Sequence, residues 1–514
     1  MRHCAWISFA WAVLIAVPAP GESTYSGAGW ATLHRDAANR RLAADAPLHA
    51  DYWTWRALGG SAVLTAPTLS PDGRTLYVTT GKSAGHSNLH AYGLDGELRW
   101  RSLPWRDATL GVDPCAILSS PIVASDGGIY VGDCNQLYAF APDGAVKWVV
   151  PLPPLQQGDS RFSDELAINA LTTAVFTKQG YLLGVTNFGD VIVLDRSSGV
   201  SVARPFRLPG LLPPASTVLP MVGSLFADGL VDPQIREWAW QLLMGGRMRS
   251  ANTPAVDEMT GRIFVAATSA NAGQGALYAL DLHEVADGLE VRIAHATDMG
   301  VGSGSSPALS PDGARVHVSD EEGLFYAIDA RRGGVVWSVE TKSAAAAAAV
   351  GSNGDIYSLQ ARGPAVVAIT PDGRIKWESD LKALAAEKLP RSWLLGAAVA
   401  MGNGNPTVVK GAVLVPVLYG YEVEVGRTIP LPVFSSVVAL DIETGVGLRD
   451  VVALEDDSTG VTAALPDGTL INSFGTAITS SVRPLAPLAR WLLPGEHRLL
   501  RAVGGFQVSL PLQR

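Results

Sequence analysis

The amino-acid sequence predicts an all-β protein, an eight-bladed propeller of four-stranded antiparallel blades with small helical insertions. Three observations support this fold: a strand motif recurs along the chain, glycine and proline are abundant, and charged residues are few. The 514 residues include 54 glycines and 33 prolines, which favours many short strands and turns over long helices. Hydrophobic residues make up 47% of the chain and charged residues 17%, so it can bury a large core.

A short apolar strand recurs along the chain and sets the repeat length. The copies share a small or β-branched residue at their third position, which is Ala91, Ala139, Val193, Ala279, Ala327, Ala368 and Ala439. The shortest spacing, from Ala327 to Ala368, is close to the roughly forty residues of a four-stranded propeller blade. Longer spacings, above all the one from Val193 to Ala279, indicate insertions.

Each copy has the same surroundings. A small-residue strand and an Asp-Gly or similar turn come before it, and a glycine turn and a strand with tryptophan come after it. The tryptophans of these outer strands are Trp100, Trp148, Trp337 and Trp377. We expect each indole to cover a neighbouring sheet.

The last repeat, residues 463–485, has no tryptophan strand of its own. The segment from Tyr52 to Arg56 has the pattern of an outer strand and precedes the first blade. It is therefore predicted to complete the eighth blade and close the ring, which removes free sheet edges. The alternatives are a seven-bladed ring with residues 463–510 as an appendage, and an N-terminal segment that only pads the surface.

Residues 1–21 have the pattern of a secretory signal peptide. Arg2 and His3 precede an apolar run from Ala5 to Val17, which is too short to span a bilayer and is followed by small residues. We therefore expect a periplasmic or secreted protein, with an N-terminal membrane anchor as the alternative.

These patterns predict one propeller domain and no transmembrane segment in the mature chain. The expected divisions are a signal peptide at 1–21, an N-terminal extension at 22–49, the propeller at 50–514, and insertions at about 208–249 and 381–395. The net charge of −9 and the lack of a basic run argue against nucleic acid as a partner. The protein is expected to be a monomer.

Two motifs resemble those of a known family. The repeat from Ala327 has the spacing Ala-x-Asp-x-x-x-Gly-x-x-x-Trp, and near the N-terminus the chain reads Trp30, His34-Arg35-Asp36 and Ala38-Asn39-Arg40-Arg41. Both resemble the pyrroloquinoline quinone (PQQ) propellers of the quinoprotein alcohol dehydrogenase-like superfamily, and the resemblance runs from about residue 30 to residue 510. It implies the propeller fold and leaves the activity open, because the superfamily includes dehydrogenases and a cofactor-free scaffold of the outer-membrane assembly machinery.

The resemblance to the quinoprotein alcohol dehydrogenases implies a pair of adjacent cysteines and an arginine that contact the quinone. It also implies a glutamate and an asparagine that bind calcium, and an aspartate that acts as the general base. At the corresponding position of the second blade, the segment from Asp113 to Ser120 contains Cys115 without the adjacent cysteine or the arginine. Asn271 lies in a Gly-rich loop placed like the calcium-binding asparagine, and it is the one cofactor-binding candidate. Asparagine is also a common turn residue in such loops.

We therefore expect an exported propeller that acts as a binding or scaffold protein in the cell envelope, without a cofactor and without an assigned catalytic residue. Its expected partner is an envelope protein, or a small-molecule or polymer ligand, at the propeller face. The alternative is an oxidoreductase that uses PQQ and calcium on an alcohol or polymeric substrate. Acidic clusters at residues 320–322 and 455–457 could hold a cation, although such clusters are more often solvated turns.

The longest insertion, residues 208–249, repeats nowhere else and is the predicted location of the function. A predicted helix in it places Ile235 and Trp238 on one face, whereas Trp240 points to another side. Trp393, at the end of the second insertion, could flank the same opening. These four residues are the candidates for partner binding, and the alternative is that the insertion packs down onto the ring.

Cleavage of the signal peptide removes Cys4 and leaves Cys115 and Cys134. An even pair in an exported protein predicts a disulfide, with two reduced, buried thiols as the alternative. The bond would close a loop of about twenty residues and contribute roughly 3 kcal/mol to stability in the loop-entropy model. Mass spectrometry of the unreduced protein should find the two cysteine peptides joined, and two free thiols would contradict the prediction.

Overall fold

The computed structural model describes most of the chain between residues 23 and 512. The described residues are 23–27, 29–81, 89–103, 118–159, 167–213, 230–231, 235–243, 247–302, 304–342, 347–360, 365–402, 404–424, 428–458 and 460–512. The predicted signal peptide and Cys115 lie outside them. Within these ranges, no helix has both the length and the apolar composition needed to cross a membrane.

The strands form eight sheets, which are the blades of a propeller. Two strands precede the first complete blade: β1 (Leu42–Ala43) and β2 (Tyr52–Ala57). Blade 1 contains β3 (Thr68–Leu69), β4 (Thr75–Thr79), β5 (Leu89–Gly93) and β6 (Leu98–Arg101). Blade 2 contains β7 (Ile122–Val123), β8 (Ile129–Asp133), β9 (Gln136–Phe140) and β10 (Val146–Pro151). Blade 3 contains β11 (Val175–Phe176), β12 (Leu182–Val185), β13 (Asp190–Leu194) and β14 (Phe206–Arg207).

The second half of the ring continues in the same order. Blade 4 contains β15 (Ala255–Val256), β16 (Ile263–Thr268), β17 (Gly275–Val285) and β18 (Gly288–Met299). Blade 5 contains β19 (Ala308–Leu309), β20 (Arg315–Ser319), β21 (Leu324–Asp329) and β22 (Val335–Glu340). Blade 6 contains β23 (Ala349–Val350), β24 (Ile356–Gln360), β25 (Ala365–Ile369) and β26 (Ile375–Asp380). Blade 7 contains β27 (Val399–Gly402), β28 (Thr407–Val409), β29 (Ala412–Glu424), β30 (Thr428–Asp441) and β31 (Gly447–Leu454), and β1 joins it beside β28.

The N-terminal strand closes the ring, as the sequence predicts. Blade 8 contains β32 (Thr462–Ala464), β33 (Leu470–Ser473), β34 (Phe506–Pro511) and, as its outer strand, β2. The pairing of β2 with β34 is antiparallel and runs from Tyr52 opposite Pro511 to Ala57 opposite Phe506. The eight-bladed prediction is therefore confirmed, and the seven-bladed alternative is wrong.

The first strand of each blade lies at the centre of the ring. These strands, with β28 in this position in blade 7, are two or three residues long, and those of neighbouring blades contact one another, as β3 does β7 and β19 does β23. Small buried polar residues fit this crowded centre: the main-chain N–H of Ala66 in blade 1 donates to Ser120 Oγ in blade 2 at 3.0 Å. The small-residue pattern therefore reflects packing around the axis.

The outer-strand tryptophans join neighbouring blades, as predicted. Five indole N–H groups donate to a main-chain carbonyl in a turn of the next blade, in the pairs Trp55–Leu94, Trp100–Pro142, Trp148–Arg196, Trp337–Pro371 and Trp377–Ile442. The glycine of that turn lies beneath the indole and leaves no room for a side chain, since a Cβ on Gly144 would lie 2.7 Å from Trp100. In blade 4, His295 takes this position, with Nε2 3.2 Å from the Ala330 carbonyl oxygen.

The N-terminal extension crosses one face of the ring and bonds to the first strand of nearly every blade. The second residue of the first strand donates its main-chain N–H to an extension carbonyl in six blades: Leu69 to Trp30, Val123 to Ala31, Val256 to Ala37, Leu309 to Ala38, Val350 to Arg40 and Val408 to Arg41. In blade 3, Phe176 N–H donates instead to the Tyr25 hydroxyl at 3.0 Å. We call this side of the ring, covered by residues 23–46, the plug face.

Buried polar side chains of the extension complete this network. The Asn39 side-chain amide donates to the carbonyl oxygens of Thr253, Pro254 and Pro307 at 3.0, 3.1 and 2.9 Å, which ties blade 4 to blade 5. The fully buried Arg41 donates from Nε to His34 Nδ1 at 3.0 Å, and burial lowers the pKa of His34 well below its usual value, so the imidazole is a neutral acceptor. Asn39 and Arg41 of the N-terminal motif thus have structural roles.

Replacing Asn39 with alanine should destabilise the ring. Asn39 has a left-handed φ of 58°, which asparagine tolerates better than alanine, and Asn39→Ala would leave buried carbonyl groups without their donor. We expect a loss of about 3 kcal/mol in the free energy of unfolding, measured by urea denaturation. The exposed Asn271→Ala is the control and should change stability by less than about 0.5 kcal/mol. Equal losses of stability in the two variants would contradict the role of Asn39 in joining blades 4 and 5.

Candidate functional site

All the large insertions emerge on the face opposite the plug. The extension binds at the ends of the first strands, where the turn to the second strand begins. Because successive strands run in opposite directions, the connections between the second and third strands, and between one blade and the next, emerge on the other side. These connections contain α1 (Arg236–Leu243), α2 (Leu381–Lys388), α3 (Ala477–Val482) and α4 (Ala486–Leu492). We call this side the insertion face.

Helix α1 packs down onto this face. Ile235 and Trp238 are 0% and 1% exposed. They belong to one apolar cluster with buried residues from the connections of blades 8, 1, 2, 3 and 4, which include Ala62, Leu64, Cys134, Ile168, Phe188 and Met248. The first two candidates for partner binding therefore serve as packing residues, and a partner could not reach them while α1 stays in place. Trp240 lies on the same helix, and its side chain is outside the described part of the structure.

Ion pairs hold both ends of this insertion to the ring. Asp159, whose side chain is 2% exposed, accepts a hydrogen bond from Arg207 Nη2 at 2.5 Å and another from Arg249 Nη1 at 3.1 Å. Arg249 Nε also donates to the Gly210 carbonyl at 2.6 Å, and the Ala62 N–H donates to the Leu230 carbonyl at 2.8 Å. The described parts of the insertion are thus attached to the ring.

The fourth candidate, Trp393, is on the surface. Its side chain is 90% exposed, in a turn closed by two main-chain hydrogen bonds between Ser392 and Gly396, at 2.7 and 2.9 Å. The preceding helix α2 begins at a cap in which Asp380 accepts from Lys382 N–H at 2.8 Å. Trp393 is therefore an aromatic side chain presented to solvent on a defined turn.

Asn271 has the geometry of a turn residue. Its amide nitrogen donates to Asp298 Oδ2 at 2.7 Å, and its main-chain N–H donates to Ser269 Oγ at 3.0 Å. Ser269 Oγ in turn donates to Asp298 Oδ1 at 2.6 Å. Of the predicted disulfide pair, Cys134 is buried, and because Cys115 lies outside the described residues the bond stays a prediction.

Two adjacent aspartates, expected in a solvated turn or a cation site, are fully buried instead. Asp456 Oδ2 accepts from the N–H groups of Val503 and Gly504 at 2.7 and 2.8 Å. Asp457 Oδ2 accepts from Ile478 and Thr479 N–H, at 2.7 and 3.1 Å, in the first turn of α3. The pair therefore anchors the insertion of residues 474–505. Sequence reasoning missed this role, because nothing near the aspartates in the chain indicates their distant donors.

A comparison with protein families identifies the repeats. A model of PQQ-type repeats, described as outer membrane protein assembly factor BamB, matches residues 286–446, which extend from blade 4 into blade 7. Those residues include the Trp337 and Trp377 contacts between blades. The chain is a propeller with PQQ-like repeats over residues 286–446. A comparison with curated proteins finds no match.

Solved structures share the architecture of this PQQ-like propeller at low sequence identity. A europium-containing methanol dehydrogenase is 13% identical with a TM-score of 0.57, over 94% of this chain and 98% of that one. The quinohemoprotein alcohol dehydrogenase from Comamonas testosteroni is 12% identical with a TM-score of 0.56, over 96% and 82%. The Dos1 propeller is 9% identical with a TM-score of 0.53, over 89% and 95%. At such identities the likeness shows the fold alone.

The described residues of the PQQ-like propeller do not fit a calcium ion and quinone. Calcium requires six to eight oxygen ligands. Asn271 turns its amide nitrogen toward Asp298 and is exposed, and within the described ranges no three His, Cys, Asp or Glu side chains converge as a metal site would require.

The buried aspartates should make stability depend on pH. Burial raises the pKa of both carboxyls, and the charge of Asp456 contributes to raising that of Asp457 to about 7. Between the unfolded pKa near 4 and this value, the folded state binds more protons, so stability falls as pH rises. Asp457→Asn should therefore be more stable than the parent protein at pH 8, and the difference should shrink toward pH 4.

The control for this experiment is Asp441→Asn. The Thr444 hydroxyl and N–H groups hold the pKa of Asp441 below its usual value, so its charge favours the folded state. Removing that charge should lower stability at pH 8, the opposite sign. Urea denaturation at both pH values measures the two effects. A loss of stability at pH 8 in Asp457→Asn would show that the charged form is favoured in the fold.

Proposed function

We propose that this PQQ-like propeller is a non-enzymatic binding protein of the cell envelope, which engages a partner protein through its insertion face. The observation that carries the proposal is the packing of α1 on that face. Ile235 and Trp238 are buried against connections of blades 8, 1, 2, 3 and 4, so α1 covers the insertion face over these blades. A part of the face that is covered in this way suits a protein partner better than a buried small substrate, because small-molecule sites are concave.

The match to the assembly-factor model supports the same class of function. The matched residues include the α2 insertion and parts of blades 4 to 7. Trp393 follows α2 and is 90% exposed. Exposed tryptophans on fixed turns are frequent hot spots of protein interfaces, because a rigid aromatic ring loses little conformational entropy on binding. Trp393 is therefore the residue on which we place the centre of the contact.

The absence of quinoprotein chemistry can be tested on the purified protein. After incubation with PQQ and calcium and removal of free quinone by gel filtration, we expect no bound quinone absorbance and no alcohol-dependent dye reduction. The Asp298→Ala variant, which frees the Asn271 amide, should behave in the same way. Retained quinone with dye reduction in the parent protein would overturn the non-enzymatic assignment.

The partner contact can be mapped in cells with a photo-crosslinking amino acid. Placed at position 393, it should form a discrete covalent adduct with another envelope protein. Placed at Arg332, in an exposed turn on the plug face, it should form none. Adducts from position 332 alone would assign the contact to the opposite face. Trp393→Ala should weaken co-purification of the same partner at least about tenfold, as expected for a hot-spot tryptophan, and leave the unfolding midpoint unchanged.

A further inference from the structure

A cavity on the insertion face is lined by four arginines. It has a volume of about 730 Å³ and lies between α3, α4 and the segment that returns to β34. Its lining contains Arg483, Arg490, Arg498 and Arg501, together with Thr479 and several apolar side chains, and no acidic residue. Arg498 forms an ion pair with Glu496 at 3.3 Å. The four guanidinium groups place positive charge around one cavity.

This concentration contrasts with the rest of the chain. The formal net charge of the protein is −9, whereas residues 477–505 contain four arginines and a single acidic residue, Glu496. Within the described part of the chain, the side chains of Arg490 and Arg501 form no hydrogen bond or ion pair. Guanidinium groups prefer oxyanions such as carboxylate and phosphate, which they bind through paired N–H groups. The lining therefore has the chemistry of an anion site.

The helix beside the cavity carries an exposed apolar face. Leu488 and Trp491 lie three residues apart on α4, so they share one side of the helix, and they are 52% and 84% exposed. Ala489, between them in sequence, is buried against the ring and holds the helix in place. Arg490 belongs to the same turn of helix and lines the cavity. Anion-binding and apolar groups therefore stand side by side on a fixed support.

We propose that the arginine cavity and the Leu488–Trp491 face bind the surface of an anionic phospholipid bilayer. The arginines would contact headgroup phosphates, and Trp491 would enter the boundary between headgroups and acyl chains, where indoles are favoured. A soluble anion would use the cavity and gain nothing from an exposed tryptophan and leucine. The net negative charge of the protein would help to orient it, because this cluster is attracted to an anionic membrane and acidic surfaces are repelled.

The test is co-sedimentation of the purified mature protein with vesicles. Vesicles of phosphatidylcholine with roughly 30% phosphatidylglycerol should bind the protein at low salt, and phosphatidylcholine vesicles should not. Arg490→Glu combined with Arg501→Glu should weaken binding at least about tenfold. The matched control is Arg331→Glu with Arg332→Glu, which makes the same change in net charge on the plug face and should bind less than about twofold more weakly.

Two further measurements distinguish lipid binding from the binding of other anions. Trp491→Ala should weaken vesicle binding and leave the unfolding midpoint unchanged, because its side chain is solvated. Inorganic phosphate, measured by calorimetry, should bind much more weakly than the vesicles. The proposal is overturned if both double variants lose binding equally, if neutral vesicles bind as well as anionic ones, or if the protein binds inorganic phosphate and no vesicles.

Discussion

Six main-chain hydrogen bonds between the N-terminal extension and the first strands hold the ring together at its axis. A propeller brings eight short strands to one centre, where each leaves a main-chain N–H that needs an acceptor. The extension supplies its own carbonyl groups in turn, from Trp30 in blade 1 to Arg41 in blade 7, and the Tyr25 hydroxyl serves blade 3. The same segment continues into β2, which closes the last blade. One stretch of chain therefore provides acceptors for the central N–H groups of seven blades and removes the free sheet edge of the eighth.

The two faces of the ring consequently have different roles. The plug face is saturated with internal hydrogen bonds and buries Asn39 and Arg41 among main-chain carbonyls and a neutral histidine. The insertion face carries the chain segments that do not repeat, and these are anchored by buried carboxylates. Asp159 holds the α1 insertion, and the Asp456–Asp457 pair holds the insertion with α3 and α4.

The functional proposals follow from this separation. Repeated residues such as the docking tryptophans are accounted for by blade packing, so they carry no information about a ligand. Trp393, Trp491 and the cavity arginines are among the groups that packing leaves unexplained, and they lie on the insertion face. A protein contact at Trp393 and a lipid contact at Trp491 are compatible, because the two residues belong to different connections of the ring.

The sequence by itself determined the propeller and predicted eight blades, the tryptophan contacts and the closing strand, with seven blades as the alternative, because these depend on local strand and turn patterns that recur. It predicted insertions at about 208–249 and 381–395 and missed the helical insertion of residues 474–505. Only the tertiary structure decided what the insertions do: Trp238 is buried because distant connections meet beneath it, and Asp456 is buried because its donors come from residues nearly fifty positions away. The arginine cavity likewise exists only where α4 and the returning segment face each other. A periodic pattern reports the environment that every repeat shares, and a unique segment finds its environment only when the ring has formed.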